Sequence, residues 1–342
     1  MAQPALPITS LPSPPWARPP ILRTADGSER RVGVEIEFAG LDVDEACVLV
    51  RRLYGGRIEP INRFGAMVKG TTLGDFRVEL DSLPLKKEKY KHYLEKVGAG
   101  ARLTGVVEDV LESIVSTFVP AEIVTAPIAI ADAPRLESLR WALHARNAEG
   151  TKASILYTFG FQLNPELPAL DADTLVRHLR AFLALQDWLF AVSEVDATRD
   201  FYGWTEPFPA AYRRKVLDPS YTPDEDALIG DYLEANPTRN RALDMLPVFA
   251  TLQEERVLAA AKEAENVKAR PTFHYRLPNC LIDDPAWTFA LEWNRWIEVE
   301  KLADDPARMR IAADELLAAP EGEAPSRQLT MERARRWGIE AP

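Results

Sequence analysis

The chain has 342 residues, a formal net charge of -11 and a hydrophobic share of 46%. This composition is typical of a globular protein, and the negative charge argues against nucleic-acid binding, which needs a basic surface along the phosphates. Two cysteines, Cys47 and Cys280, are too few for a disulfide framework or a zinc cluster. The sequence shows no targeting segment and no run of roughly 20 apolar residues, so we expect a cytoplasmic protein without membrane partners.

Strand and helix patterns alternate through the first half of the chain. Residues 1–29 form a proline-rich leader, a composition typical of disordered segments. Apolar residues at every second position predict strands from Val32 to Phe38 and in "GDFRVELDS". Between them, Asp42 or Asp44 begins a predicted helix that ends at Gly55 and Gly56, and two strands joined by a tight turn follow. Later segments predict a helix from Thr104 to Phe118, a short strand ended by Pro127, a helix starting at Pro134 and a long strand in "KASILYTFGFQLNPE".

The second half of the chain is predicted to be mostly helical. A helix N-capped by Asp171 or Asp173 comes first. An irregular stretch from Asp200 to Pro237 follows, then a helical segment broken near Pro247. The segment "RPTFHYRLPNC" predicts a last strand that returns to the sheet, and helices follow it. Because hairpin signals and half-polar strand faces favour an antiparallel sheet, the expected class is α+β with helices packed on one face.

Polar side chains recur on one face of several predicted strands. Alternation along a strand puts these residues on single faces: Glu35 with Glu37, Glu79 with Asp81, Glu122, Gln162 with Asn164, and His274 with Arg276. Close carboxylates repel and raise each other's pKa, and a hard divalent cation removes this conflict. One glutamate pair alone is most often a solvated sheet face. Its recurrence on separate strands favours a site for a metal and an anionic ligand.

Six segments in this order resemble the amidoligase family, a branch of the carboxylate–amine ligases that share the glutamine synthetase and glutamate–cysteine ligase fold. They are "VGVEIEFAG", "LGDFRVELDS", "AEIVTAPI", "FGFQLNPEL", "RNRALDMLP" and "PTFHYRLPN". The resemblance covers roughly residues 30 to 300. It implies a glutamine synthetase-like antiparallel sheet, with a catalytic domain over residues 30–303 and a C-terminal helical tail over residues 304–342.

The resemblance also implies a reaction. ATP phosphorylates the carboxylate of a small molecule or peptide, and an amine then displaces phosphate from the acyl phosphate to form an amide. Mg²⁺ or Mn²⁺ ions hold the triphosphate and offset the charge of the transferring phosphoryl group. The products are the amide, ADP and phosphate.

Residue roles follow from the same resemblance. Metal ligands are expected at Glu35, Glu37, Glu79 and Glu122; ATP-binding residues are expected at Arg239, Arg241, Gln162 and Asn164. Arg276 would grip the substrate carboxylate or the phosphoryl group, and Asp81 is a weaker catalytic candidate. Related sequences usually carry histidine in place of Gln162 and glutamate in place of His274. His274 is therefore expected to be a compensating metal ligand.

Other functions stay open at this point. A metal-dependent hydrolase would use the same carboxylates to activate water. The exchanges at Gln162 and His274 also suit a catalytically weakened protein of the same fold that binds nucleotide or metal. The aromatic stretch "DFYGWTEPFPAAYRR", which ends at Arg213 and Arg214, is either a lid over the ligands or a packed loop. Assembly into a homo-oligomer is open as well.

Overall fold

The computed structural model describes residues 13–80, 120–153, 159–193, 205–320 and 325–340. Within these ranges one antiparallel sheet contains seven strands: β1 (Arg31–Phe38), β2 (Arg57–Asn62), β3 (Gly65–Thr71), β4 (Gly74–Leu80), β5 (Ala121–Thr125), β6 (Ile128–Ala129) and β7 (Phe161–Pro165). The strand order is β2-β3-β4-β5-β1-β6, and β7 also pairs with β1. The predicted α+β class and antiparallel sheet are confirmed.

Nine α-helices accompany the sheet in the described ranges. They are α1 (Val43–Tyr54), α2 (Glu137–His144), α3 (Ala172–Val192), α4 (Ala210–Leu217), α5 (Glu225–Ala235), α6 (Leu246–Ala260), α7 (Phe289–Ala303), α8 (Pro306–Ala318) and α9 (Arg327–Arg336). Short 3₁₀ turns cover Ala133–Leu136, Thr151–Ala153 and Ala264–Asn266.

The two faces of β1 differ as the alternation predicts. Its apolar residues, from Val32 to Phe38, are fully buried at every second position, whereas Glu35 and Glu37 are half-buried on the opposite face. The apolar face belongs to the helix-covered side, where α1 packs on β3 and β4. Helix α1 begins at a capping box formed by Asp42 and Glu45 and ends at Gly55. Helix α1 therefore covers the apolar side of the sheet, and the glutamates lie on the opposite side.

The sheet continues past β7 through two extended segments. Leu163 of β7 exchanges backbone hydrogen bonds of 3.0 and 2.9 Å with Tyr275. On the far side of that segment, the N–H of Asp244 donates to the carbonyl of His274 at 3.0 Å, and that of Arg276 donates to the carbonyl of Ala242 at 2.9 Å. The predicted return of "RPTFHYRLPNC" to the sheet is confirmed, as isolated ladder steps rather than a regular strand.

Two predicted elements of the second half are wrong. The stretch expected to be irregular contains α4 and α5, because Asp224 caps α5 and the rings of Tyr212 and Tyr232 pack edge to face in the core. The segment before Pro247 was expected to be helical, but residues 241–244 are extended because they pair with residues 274–276. Helix α6 begins only at Leu246, with Pro247 in its first turn.

The long strand predicted in "KASILYTFGFQLNPE" is confirmed in part. Strand β7 covers Phe161–Pro165, the predicted start of the strand is a 3₁₀ turn over Thr151–Ala153, and residues 154–158 lie outside the described ranges. The predicted helix from Thr104 to Phe118 lies outside the described residues.

The described part of the leader, residues 13–29, lies against α7. The ring of Trp16 packs 5.7 Å from that of Trp293, and the N–H of Ala17 donates to the side chain of Asn294 at 2.8 Å. The division of the chain at residues 29 and 303 stays a prediction. No helix within the described ranges has the length and apolar character to cross a membrane.

Candidate functional site

Three glutamates from neighbouring strands lie side by side on the open face of the sheet. Glu37 of β1 is directly opposite Glu122 of β5, and Glu122 is directly opposite Glu79 of β4. Side chains opposite each other in such pairs have Cβ atoms about 4.5–5.5 Å apart. We call Glu37, Glu122 and Glu79 the acidic row. Glu35 is on the same face of β1, and Asp81 lies outside the described residues.

Strand β7 orients the two glutamates of β1. The carboxylate of Glu37 accepts hydrogen bonds from the N–H of Gly160 at 2.7 Å and from Nε2 of Gln162 at 3.0 Å. Oε1 of Glu35 accepts from Nδ2 of Asn164 at 2.8 Å. Burial alone would raise the pKa of Glu35, but the positive charges of Arg270 and Arg276, together with this hydrogen bond, lower it. Glu35 is therefore an ionised carboxylate at neutral pH.

Arginines converge on the other side of β7, and we call Arg239, Arg270 and Arg276 the arginine end. A guanidinium nitrogen of Arg276 donates to the carbonyl of Arg239, and Nη2 of Arg270 lies 3.8 Å from Oε1 of Glu35. Burial and the charge of Arg239 lower the pKa of Arg276, but a guanidinium starts so high that it stays charged. One open face thus carries carboxylates on one side of β7 and guanidinium groups on the other.

A chain of polar contacts crosses β7 between these two sides. Nε of Arg239 donates to Oδ2 of Asp244 at 3.1 Å, and Nδ1 of His274 lies 3.0 Å from the same oxygen. Nε2 of His274 lies 2.8 Å from Oε1 of Gln162, whose amide nitrogen bonds Glu37. We call Asp244, His274 and Gln162 the relay. Burial opposes ionisation of Asp244, but the hydrogen bond from His274 and the charge of Arg239 lower its pKa.

The protonation of His274 affects how these contacts are satisfied. Donation from both ring nitrogens, to Asp244 and to Gln162, would require an imidazolium. Burial and the positive charge of Arg270 oppose it and outweigh Asp244, so the pKa of His274 is lowered to about 3. The ring is therefore neutral and donates from Nδ1 to Asp244. Its bare Nε2 faces the Gln162 amide, whose oxygen and nitrogen exchange places on a 180° flip.

Several buried polar atoms on this face have no hydrogen-bond partner within the described part of the chain. They are Oδ1 of Asn164, Nε of Arg270, Oγ1 of Thr272 and Nε of Arg276. Buried polar groups normally find partners, and exceptions call for an explanation such as an ion or ligand. The described residues contain no group of three or more His, Cys, Asp or Glu side chains gathered closely enough to hold a metal ion. The three glutamates of the acidic row are opposite one another in the strand register, but their side chains do not converge on one point.

The structure does not place Arg241 with the other predicted site residues. Nε of Arg241 donates to Oδ1 of Asn236 at 2.8 Å, and Nη1 donates to Glu206 at 2.9 Å and to the carbonyl of Pro207 at 3.0 Å. These contacts fasten the loop before α4. Arg239, two residues earlier, reaches the relay instead.

The arginines at the end of the aromatic stretch are also held by helices. Arg213 makes two hydrogen bonds of 3.0 Å to Asp187 of α3, and Arg214 donates to the carbonyl of Leu317 of α8 at 3.0 Å. For these two residues the structure agrees with a packed segment. Residues 200–204 of the stretch lie outside the described ranges.

Sequence reasoning missed Asp244, Arg270 and Gly160. Arg270 is an even number of positions from His274 and Arg276, so alternation along an extended segment could have placed it on their face. Asp244 is the one charge in the run "ALDMLPVF", a pattern that signals a buried and paired carboxylate. Gly160 contributes only its backbone N–H, which no side-chain pattern could reveal.

Comparison with known proteins gives a family for this arrangement. A family model described as "Putative amidoligase enzyme" matches residues 28–298. Searches of curated proteins and of solved structures returned no match. The matched range contains both sides of the open face and the relay between them. The chain belongs to the amidoligase family.

Proposed function

We propose that the protein is an ATP- and Mg²⁺-dependent carboxylate–amine ligase with a glutamine synthetase-like fold. Family membership implies amide-bond formation. The observation that supports the finer proposal is the division of one sheet face into an acidic row and an arginine end, with β7 between them. A reaction that moves a phosphoryl group from a nucleotide to a carboxylate needs both halves, since cations hold the polyphosphate and guanidinium groups hold the anionic acceptor.

The donor set suits hard divalent cations. Glu35, Glu37, Glu79 and Glu122 supply carboxylate oxygens, and the buried Oδ1 of Asn164 is an oxygen with no partner in the described ranges. Oxygen donors of this kind are those that Mg²⁺ and Mn²⁺ prefer. When bound, the ions would present the ATP phosphates and offset the charge of the phosphoryl group in transfer.

The relay adds to this fit. A bound ion would let the amide of Gln162 flip, so that its nitrogen donates to the neutral ring of His274 and its oxygen faces Glu37. Two oxygens facing each other are unfavourable unless a cation or proton lies beside them. A divalent ion next to Glu37 would therefore satisfy the Gln162 carbonyl as well.

The chain's own groups would bind and orient the reactants. Arg276, whose Nε has no partner in the described ranges, and Arg270 would hold the substrate carboxylate and then the acyl phosphate. Arg239 would contact the nucleotide phosphates. The hydrogen bond from the N–H of Gly160 fixes the direction of the Glu37 carboxylate.

The arginine end favours a ligase over a metal-dependent hydrolase that would use the same carboxylates. A hydrolase needs the cation and a water molecule, whereas a ligase must also hold a charged acyl phosphate until the amine attacks. Three guanidinium groups gathered on the sheet face beside the acidic row fit the second requirement.

The direct test is a screen of purified protein with ATP, Mg²⁺ and mixed amino acids and amines. We expect ADP and phosphate release that requires both a carboxylate and an amine, and a product whose mass corresponds to the two joined with loss of water. ADP release that is independent of the amine would instead support a hydrolase. Nucleotide binding without turnover would support a non-catalytic protein.

Variants of the acidic row test the site itself. Glu37→Gln and Glu122→Gln keep the shape of the side chain but remove a negative charge, so each should lower turnover and Mn²⁺ affinity by about 100-fold or more. Glu59→Gln is the matched control, because Glu59 is on β2 of the same sheet, outside the acidic row, and is already paired with Arg57 and Lys69. Equal activity in all three variants would remove the acidic row from the mechanism.

A further inference from the structure

Asp244 is a buried carboxylate that contacts both branches of the candidate site. It is 0% exposed to solvent. Oδ2 accepts from Arg239 at 3.1 Å and lies 3.0 Å from Nδ1 of His274, while Oδ1 accepts from the N–H of Leu246 at 3.1 Å. A buried charge is costly unless such partners compensate it. Asp244 is thus held rigidly at the start of α6.

One branch from Asp244 leads to the arginine end. Its contact with Nε of Arg239 directs that guanidinium, and the carbonyl of Arg239 in turn accepts from Arg276. Moving the Asp244 carboxylate would release Arg239 and, through that carbonyl, disturb Arg276. Two of the three groups at the arginine end therefore depend on this carboxylate.

The other branch leads to the acidic row. Asp244 fixes the ring of His274, the ring fixes the amide of Gln162, and the amide contacts Oε1 of Glu37 at 3.0 Å. Both ring nitrogens of His274 are already occupied by these neighbours. The sequence predicted that His274 is a direct metal ligand. Its geometry instead favours a residue that orients its neighbours.

We propose that Asp244 is a positioning residue that sets both halves of the site at once: Arg239 directly, and Glu37 through His274 and Gln162. The inference rests on the proposed function, since it assumes a cation at the acidic row and a phosphate at the arginine end. It goes further by making the two binding events depend on one carboxylate. Neighbours that orient metal ligands commonly change metal affinity by 10- to 100-fold.

The test measures the two branches separately in protein without nucleotide. Mn²⁺ alone is titrated by electron paramagnetic resonance, and pyrophosphate is titrated by calorimetry in the presence of EDTA. Asp244→Asn should weaken both affinities by about 10- to 100-fold. His274→Gln should weaken only Mn²⁺ binding, and Arg239→Gln only pyrophosphate binding. This pattern of one shared and two separate losses is not expected from a residue that only stabilises the fold.

Glu300→Gln is the matched control. Glu300 is also a buried, ion-paired carboxylate, bound to Arg30 away from the open face, so its replacement should destabilise the protein without changing either affinity. If Asp244→Asn folds and binds both probes like wild type, or loses only one of them, the shared role is wrong. If Asp244→Asn does not fold, the other two variants test the proposal. His274→Gln must then lose Mn²⁺ affinity and Arg239→Gln must lose pyrophosphate affinity, and unchanged affinities would overturn the proposal. Wild type that binds neither probe would overturn the proposed function itself.

Discussion

Glu35 and Glu37 differ in what holds them, although they are two positions apart on one strand. Glu37 accepts from a backbone N–H and from Gln162, whereas Glu35 accepts from Asn164 and has Arg270 at 3.8 Å. For Glu35, burial alone would raise the pKa, but the nearby arginines and the hydrogen bond from Asn164 keep it low. Both carboxylates are therefore held in place by neutral amide groups, those of Gly160, Gln162 and Asn164.

Two buried histidines give the protein a predictable acid sensitivity. Burial lowers the pKa of both His178 and His274 from 6.5, to about 3 for His274. Below about pH 6.5 the unfolded chain takes up protons that the native chain does not bind, so the free energy of unfolding falls with falling pH. Each histidine should contribute up to about 1.4 kcal/mol per pH unit, measured by urea unfolding between pH 7 and pH 5.

Histidine variants separate these two contributions. His178→Asn and His274→Gln should each give a shallower pH dependence than wild type. Gln328→Ala, a change of an exposed residue of α9 that does not titrate, serves as the control and should keep the wild-type slope. Identical slopes in all four proteins would contradict the assignment.

Some elements of the fold are predicted by their own local sequence, whereas others form only because they pair with distant residues. The alternation in β1 and β4 and the aspartate before α1 are local patterns, and each predicted its element correctly. Residues 241–244 are extended only because they pair with residues 274–276, about 30 positions later. Their own composition favours a helix, so tertiary pairing overrides local preference there.

The capping box of α1 is open to a direct test at this scale. Oδ1 of Asp42 accepts from the N–H of Glu45 at 2.7 Å, which satisfies a helix N–H that has no partner within the helix. Asp42→Ala should lower the free energy of unfolding by about 1 kcal/mol. Asp42→Ser keeps an oxygen cap and should be nearly neutral, with both changes measured by chemical denaturation. An equal loss in the two variants would point to charge rather than capping.

Across the whole molecule, Arg30 connects parts of the chain that are far apart in sequence. Its guanidinium binds Glu300 of α7 at 2.7 and 2.8 Å, the carbonyl of Ile21 in the leader and the carbonyl of Glu166 after β7. Leader, sheet and C-terminal helices are thus joined at one buried cation. A buried pair of this kind is costly to break, because the remaining charge loses its partner.

Glu300→Gln should therefore lower the free energy of unfolding by about 3 kcal/mol. The measurement is urea unfolding followed by circular dichroism, with Glu59→Gln as an exposed-carboxylate control expected to change stability by less than about 0.5 kcal/mol. Stability equal to wild type would mean that the pair is replaceable by neutral hydrogen bonds.

At this scale the sequence predicted the sheet class and the coincidence of polar strand faces, since alternation fixes which residues share a face. It placed the four glutamates on one face but did not reveal Asp244, whose contacts with Arg239 and His274 form only on folding. The family resemblance also grouped Arg241 with Arg239, whereas the backbone directs their guanidinium groups to different partners.

The extension of the sheet past β7 has a consequence for the order of assembly during translation. The carboxylates come from residues 35–122, while the guanidinium groups that complete the face come from residues 239–276. A nascent polypeptide that ends before residue 239 can pair β1 with β5. It does not yet contain the segment that extends the sheet beside β7. We therefore expect the site to bind its ligands only after residue 276 has emerged from the ribosome.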